Sequence, residues 1–195
     1  MINKYSKMKD IKKVEKKEEE TLFKGDHIKV INYKDYEIVS ETPMVAILPY
    51  LRDEGMILLR HEYVPTYQYY YKDVDEYKDI TNFLTTITGK INVGDTLENT
   101  VRRELYEEAG IVLSNMYQID MGKSLFVSKG NVSKYHICLL ELRYNDYKVT
   151  NPSPQGKEEK LSKTIQISLG DLDEIRTHDL ITEYLITKFK LEYKL

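Results

Sequence analysis

Three glutamates, Glu104, Glu107 and Glu108, lie within the stretch TLENTVRRELYEEAG at spacings of i, i+3 and i+4. On a helix, at about 100° per residue, they share roughly a third of the circumference. Carboxylates held this close repel one another unless something cationic sits among them. Two arrangements resolve the repulsion: a solvated acidic face paired with Arg102 and Arg103, or a divalent cation. Hard carboxylate oxygens suit Mg²⁺, and also Mn²⁺, which keep several waters and bridge to substrate phosphates.

The element carrying these acids is well marked. Thr96 to Ala109 reads as a helix, with Asp95 as N-cap, Glu98 as its capping-box partner and Gly110 just past the C-terminus. Leu97, Val101, Leu105 and Ala109, four apart, make the adjoining apolar stripe that docks the helix on a sheet and leaves the acids at its rim. Upstream, Thr85 to Thr88 is β-prone and ends at Gly89; Gly89 and Gly94 supply the permissive backbone for a tight turn into the helix. Arg103 has a planar fork able to pair with a carboxylate and fix the orientation of Glu104.

The wider spacing is Gly89, five residues, Asp95, seven residues, then Arg103-Glu104-Leu105-Tyr106-Glu107-Glu108-Ala109-Gly110-Ile111. It resembles the Nudix box, G-x5-E-x7-R-E-U-x-E-E-x-G-U with U bulky and aliphatic, at every defined position but Asp95, where the pattern has Glu. The resemblance implies a mixed sheet sandwiched between helices, α/β in class (α+β), and hydrolysis of a diphosphate linked to another moiety. It implies that Glu104, Glu107 and Glu108 hold Mg²⁺, with the Gly89 carbonyl as a further ligand and Arg103 orienting them. General-base assistance would come from Glu104 or from a later acidic loop, where Glu158 and Glu159 are the candidates. Beyond the box the layout is similar to the ADP-ribose pyrophosphatase branch, which makes an ADP-ribose-like substrate the first expectation and places Arg60 and Tyr63, in RHEYVP, near it. Dinucleoside polyphosphates, nucleoside triphosphates and a non-catalytic nucleotide-binding module are the alternatives. Dimerisation is common in that branch, and residues 26–41 are the expected homodimer surface.

Around the box, residues 1–21 read as a charged tail, with seven Lys and five acids in the first twenty. Residues 22–195 read as one domain. His27–Asn32 and Tyr36–Glu41 alternate as an N-terminal hairpin (22–42), and Met44–Tyr50 and Met56–Arg60 read as buried strands flanking a turn at Asp53-Glu54-Gly55. The Tyr-rich segment from Pro65 to Leu84 is read as an edge strand plus loop, with a base-stacking wall as the sharper alternative. Met116–Val127, Tyr135–Leu142 and Leu161–Ile167 read as strands, Asn151–Lys160 as a polar loop and Leu169–Ile175 as a short helix. Asp179–Glu192 reads as an amphipathic helix with Leu180, Ile181, Tyr184, Leu185 and Phe189 inward.

Composition bounds the rest. Lys plus Arg number 29 against 32 Asp plus Glu, a net −3 that is too balanced for a general nucleic-acid binder. The single Cys138 excludes a disulfide framework and a thiolate zinc cluster, and is expected as a small buried hydrophobe. His27, His61, His136 and His178 lack metal-ligand spacing. Neither a secretory leader nor a bilayer-spanning apolar stretch is evident, so a soluble cytoplasmic protein without a membrane partner is expected; a small-molecule nucleotide partner is what the resemblance implies.

Overall fold

The computed structural model describes residues 19–25, 28–34, 36–64, 82–114, 120–128, 130–155 and 157–195. The expectations for residues 1–18, for His27, for most of the Tyr-rich segment (65–81) and for the side chain of Glu158 lie outside the described residues.

Twelve strands are described: β1 (Glu20–Lys24), β2 (Ile28–Tyr33), β3 (Tyr36–Glu41), β4 (Met44–Leu51), β5 (Met56–Tyr63), β6 (Asn82–Thr85), β7 (Ile87–Lys90), β8 (Ile111–Leu113), β9 (Asp120–Ser128), β10 (Asn131–Leu142), β11 (Tyr147–Val149) and β12 (Lys163–Ser168). Three α-helices are described with them: α1 (Leu97–Ala109), α2 (Lys157–Leu161) and α3 (Leu180–Tyr193). The main sheet runs β1-β2-β3-β10-β4-β5-β12, with β7 on β4, β6 on β5 and β9 on β10; β8 and β11 form a separate pair. This is the mixed α+β architecture expected. At its centre β4 and β10 run parallel over eight residue pairs, from Met44↔Tyr135 to Leu51↔Leu142. The hairpin of β2 and β3 closes at Tyr33↔Tyr36, and β1 adds a strand that the charged N-terminal composition did not signal.

The nearly unbroken apolar run of β4 follows from burial on both faces. Val45 and Ile47 pack with Val101 and Leu105 of α1 on one side of the sheet. Ala46 and Leu48 pack with Ile181, Leu185 and Phe189 of α3 on the other. Cys138 lies in the first cluster, fully buried.

Four local readings change. The cap of α1 is Thr96, whose hydroxyl accepts from the Asn99 amide at 3.1 Å; Asp95 instead accepts from Asn92 Nδ2 at 3.2 Å, within the preceding turn. The inner face of α3 is Ile181, Thr182, Leu185, Ile186 and Phe189, while Leu180 and Tyr184 are exposed. Thr182 turns inward because its hydroxyl accepts the buried amide of Thr86, between β6 and β7, and donates to the cap residue Asp179. The 151–160 loop becomes helical from Lys157, and the short helix after β12 is only a 3-10 turn, Leu169–Asp171.

Gly110 ends α1 in the left-handed region (φ 66°), its amide donating to the carbonyls of Leu105 and Tyr106. The chain then folds back so that Thr150 and Ser153 amides cap the carbonyls of Gly110 and Glu107, at 2.7 and 3.1 Å. A Cβ on Gly110 would stand 2.1 Å from the Thr150 carbonyl oxygen. Gly110→Ala is therefore expected to cost on the order of 2 kcal/mol or more, combining left-handed strain with this clash. A urea titration would show it; a midpoint equal to wild type would contradict it.

Candidate functional site

The strand β7 delivers Gly89 to the surface of α1. Gly89 has no positive φ, so turn freedom is not what position 89 requires; Gly94, at φ 91°, fills that role. What Gly89 provides is space. A Cβ there would fall 1.8 Å from Cδ and 1.9 Å from Oε1 of Glu104. The Glu104 carboxylate thus rests directly on the backbone of β7.

Arg103 holds that arrangement from the side. Its Nη1 lies 2.6 Å from Glu104 Oε1 and 3.1 Å from Glu107 Oε2, and Nη2 donates to the Lys90 carbonyl at 2.8 Å. One guanidinium therefore ties helix, acids and the end of β7 together.

Glu108 faces the sheet. Arg60 of β5, 2% exposed, places Nε 3.4 Å from Glu108 Oε2 and donates from Nη1 to the Glu108 carbonyl at 3.3 Å. Thr164 of β12 donates to the same carbonyl at 2.7 Å. Arg60 Nε and Nη2 and Glu108 Oε2 are buried without a hydrogen bond among the described residues. The acids do not simply sit at an exposed rim: Glu104 and Glu108 are 4% and 6% exposed.

Burial governs their protonation. Loss of water pushes the Glu104 carboxyl up to about 7, against the pull of Arg103 and with Glu107 adding to the rise. It pushes Glu108 up to about 9, with Arg60 opposing and Glu62 and Glu104 reinforcing. The ordinary value for both is 4.5. Between those limits the folded chain holds protons that the unfolded chain has released, so stability falls as pH rises through this window. In cation-free buffer, thermal melts are expected to decline from about pH 5 to 9. The doubly substituted Glu104→Gln, Glu108→Gln chain should lose most of that slope; an undiminished slope would refute the assignment.

Gly89, Arg103, Glu104, Glu107 and Glu108 line one groove of about 510 Å³, together with Glu159 and Glu62. Glu159, midway along the short helix α2, accepts from the Gln155 amide at 2.6 Å. Tyr63 is half-buried; its amide donates to Ser162 Oγ at 3.1 Å, and it is not among the groove's lining residues. Arg60 lines a neighbouring cavity. Glu62 escaped the sequence reading. It sits two residues after Arg60 on β5 and so shares its face, accepts from Thr85 Oγ1 at 2.7 Å, and has its carboxyl raised by burial. That period of two was the signal available.

As they stand, no three His, Cys, Asp or Glu side chains among the described residues group closely enough to hold a metal ion. Arg103 engages one oxygen each of Glu104 and Glu107. The chemistry nevertheless fits a hard divalent ion: clustered carboxylates, an orphaned buried oxygen on Glu108, and carboxyls whose protons a cation would displace.

Among the comparisons with known proteins, the family described as the NUDIX domain matches residues 41–185. No curated protein matches the chain.

Proposed function

The chain belongs to the Nudix family, which makes it a hydrolase of the nucleoside diphosphate-linked class in general, and from that premise we propose a Mg²⁺-dependent pyrophosphohydrolase, with Mn²⁺ as an alternative ion. Its substrate is read as a nucleoside diphosphate joined to a further group, ADP-ribose-like. The observation that carries the proposal is the seat of Glu104 on Gly89 beside Arg103, with Glu107 and Glu108 lining the same groove.

When bound, a divalent ion supplies charge to phosphate oxygens and acidifies an attacking water. The residues of the chain do the remainder. Glu104, Glu107 and Glu108, with the Gly89 carbonyl, are the oxygen donors that would hold the ion. Arg103, paired with one oxygen each of Glu104 and Glu107, narrows their rotamers, so that the regrouping needed on binding is local. Glu159 is within the groove and is read as the general base, with Glu104 and Glu158 as the other candidates; it takes the proton of the water. Arg60 is read as holding Glu108 from behind rather than reaching substrate, and Tyr63 as lying near it.

The deciding assay is turnover of ADP-ribose, NADH, dinucleoside polyphosphates and nucleoside triphosphates with Mg²⁺, reading released phosphomonoester. A second reading, a nucleotide-binding module without turnover, draws on the acids not yet being grouped for a metal. Tight binding with no product would support it and end the hydrolase reading. The same proposal has the chain working in the cytoplasm as a homodimer through residues 26–41. Its support is that β1, at the edge of the sheet beside that hairpin, exposes Leu22 and Phe23. Light scattering after size exclusion reads the mass directly.

A further inference from the structure

Of the acids lining the groove, Glu104, Glu107 and Glu108 stand on α1 and Glu159 on α2, while Glu62 comes from the sheet. It lies two residues beyond Arg60, about 7 Å further along the same face of β5. That is the face from which Arg60 meets Glu108, Nε to Oε2 at 3.4 Å.

Its surroundings supply little positive charge. The charges acting most on Glu62 are those of Arg60, Asp179 and Glu159, and Glu62 acts in turn on Glu108. Arg60 is thus one cation shared by two carboxylates, and the other two neighbours repel. An acid kept in such a place only to hold the fold would be matched by a cation of its own. Thr85, 6% exposed, donates to Glu62 Oε2 at 2.7 Å. A neutral hydroxyl fixes that oxygen without neutralising it, which is how carboxylate ligands of metals are oriented from behind. One such bond uses a fraction of the roughly four acceptor sites of a carboxylate.

Glu108 carries an independent sign of a cation. Its Oε2 is buried without a hydrogen bond among the described residues, on a residue 6% exposed that lines the same groove. An acceptor in that state is costly unless a ligand completes it. The described side chains are not grouped for an ion as they stand. The backbone under Glu62 is nevertheless fixed, because β5 is paired with β6 on one edge and β12 on the other, so regrouping needs only side-chain rotation.

We propose that Glu62 is a further ligand of the divalent ion, contributed by the sheet, so that the ion ties β5 to α1. The inference rests on the groove holding that ion and adds an oxygen donor from outside the helix.

The test is binding of Mn²⁺ alone, without substrate, read from the loss of the free-ion electron paramagnetic resonance signal. Glu62→Gln keeps the size of the side chain and an acceptor for Thr85, so the melting temperature without divalent ions should stay within a few degrees of wild type. Its Kd for Mn²⁺ should rise at least about tenfold, the scale on which losing support of a metal site is felt. A smaller rise overturns the ligand; joined to reduced turnover, it would make Glu62 a general base instead. Should Glu62→Gln not fold, Glu62→Asp decides, since it keeps the charge on a shorter arm: a Kd raised at least about threefold supports the proposal and a smaller change overturns it. The two readings fail separately. If Glu108→Gln weakens Mn²⁺ binding and Glu62→Gln does not, the groove keeps its ion and Glu62 leaves the set. If wild type binds no Mn²⁺, or both variants bind it as wild type does, the metal reading of the groove falls and the inference falls with it.

Discussion

Gly89→Ala is expected to abolish most turnover, by a hundredfold or more, while leaving the fold within about 1 kcal/mol of wild type. The two halves of this expectation come from the same contact. The new methyl group would overlap the Glu104 carboxyl, at 1.8 Å from Cδ. What it meets is the far end of a flexible side chain, so the helix need not move and Glu104 rotates away. The strand itself gains, because alanine loses less conformational freedom than glycine in β7, by about 0.5–1 kcal/mol. Glu104, however, leaves both the backbone of β7 and its 2.6 Å partner Arg103. Displacement of a reacting group by about 1 Å is enough to cost two orders of magnitude. Steady-state kinetics beside a denaturant titration would test both halves. Near-normal turnover would remove Glu104 from the site, and a large stability loss would mean that β7 cannot yield locally.

The second large effect is Glu108→Gln. The amide keeps the shape of the carboxyl, and at neutral pH the buried carboxyl, raised to about 9, already carries a proton in the cation-free chain. The melting temperature without divalent ions should therefore stay within a few degrees of wild type. Turnover should fall at least a hundredfold, equivalent to about 2.7 kcal/mol of transition-state stabilisation, because the amide cannot become an anionic ligand. A third readout separates this from a packing defect. Mg²⁺ should raise the melting temperature of wild type and do so much less in the variant, since binding to the folded state stabilises by mass action. Equal stabilisation of both chains would take Glu108 out of the ligand set.

The sequence made the site's helix and its glutamates legible because their signals are local: a spacing of three and four, an apolar stripe, a terminal glycine. It could not show that Glu104 and Glu108 are buried, since that depends on β7 and β5 passing close to α1. For the same reason the space required at Gly89 was read as turn freedom. Glu62 and Arg60 reach the groove region only through pairing of β5 with β6 and β12, at Arg60↔Thr85 and Arg60↔Thr164. Where composition alone spoke, it misled at the edges. The polar run through Lys160 hides a short helix, and Thr182, a polar residue on an apolar face, points inward because a strand break needed its hydroxyl.

The parallel ladder between β4 and β10 joins segments that lie some ninety residues apart in the chain. Such a pairing must close a long loop before it gains any contact, so it forms late and slowly. On the ribosome, β4 emerges well before its central neighbour has been synthesised, with an apolar strand edge waiting for it. The interval between the two is when this protein is most exposed to aggregation, and a chain cut before residue 131 would remain in that state.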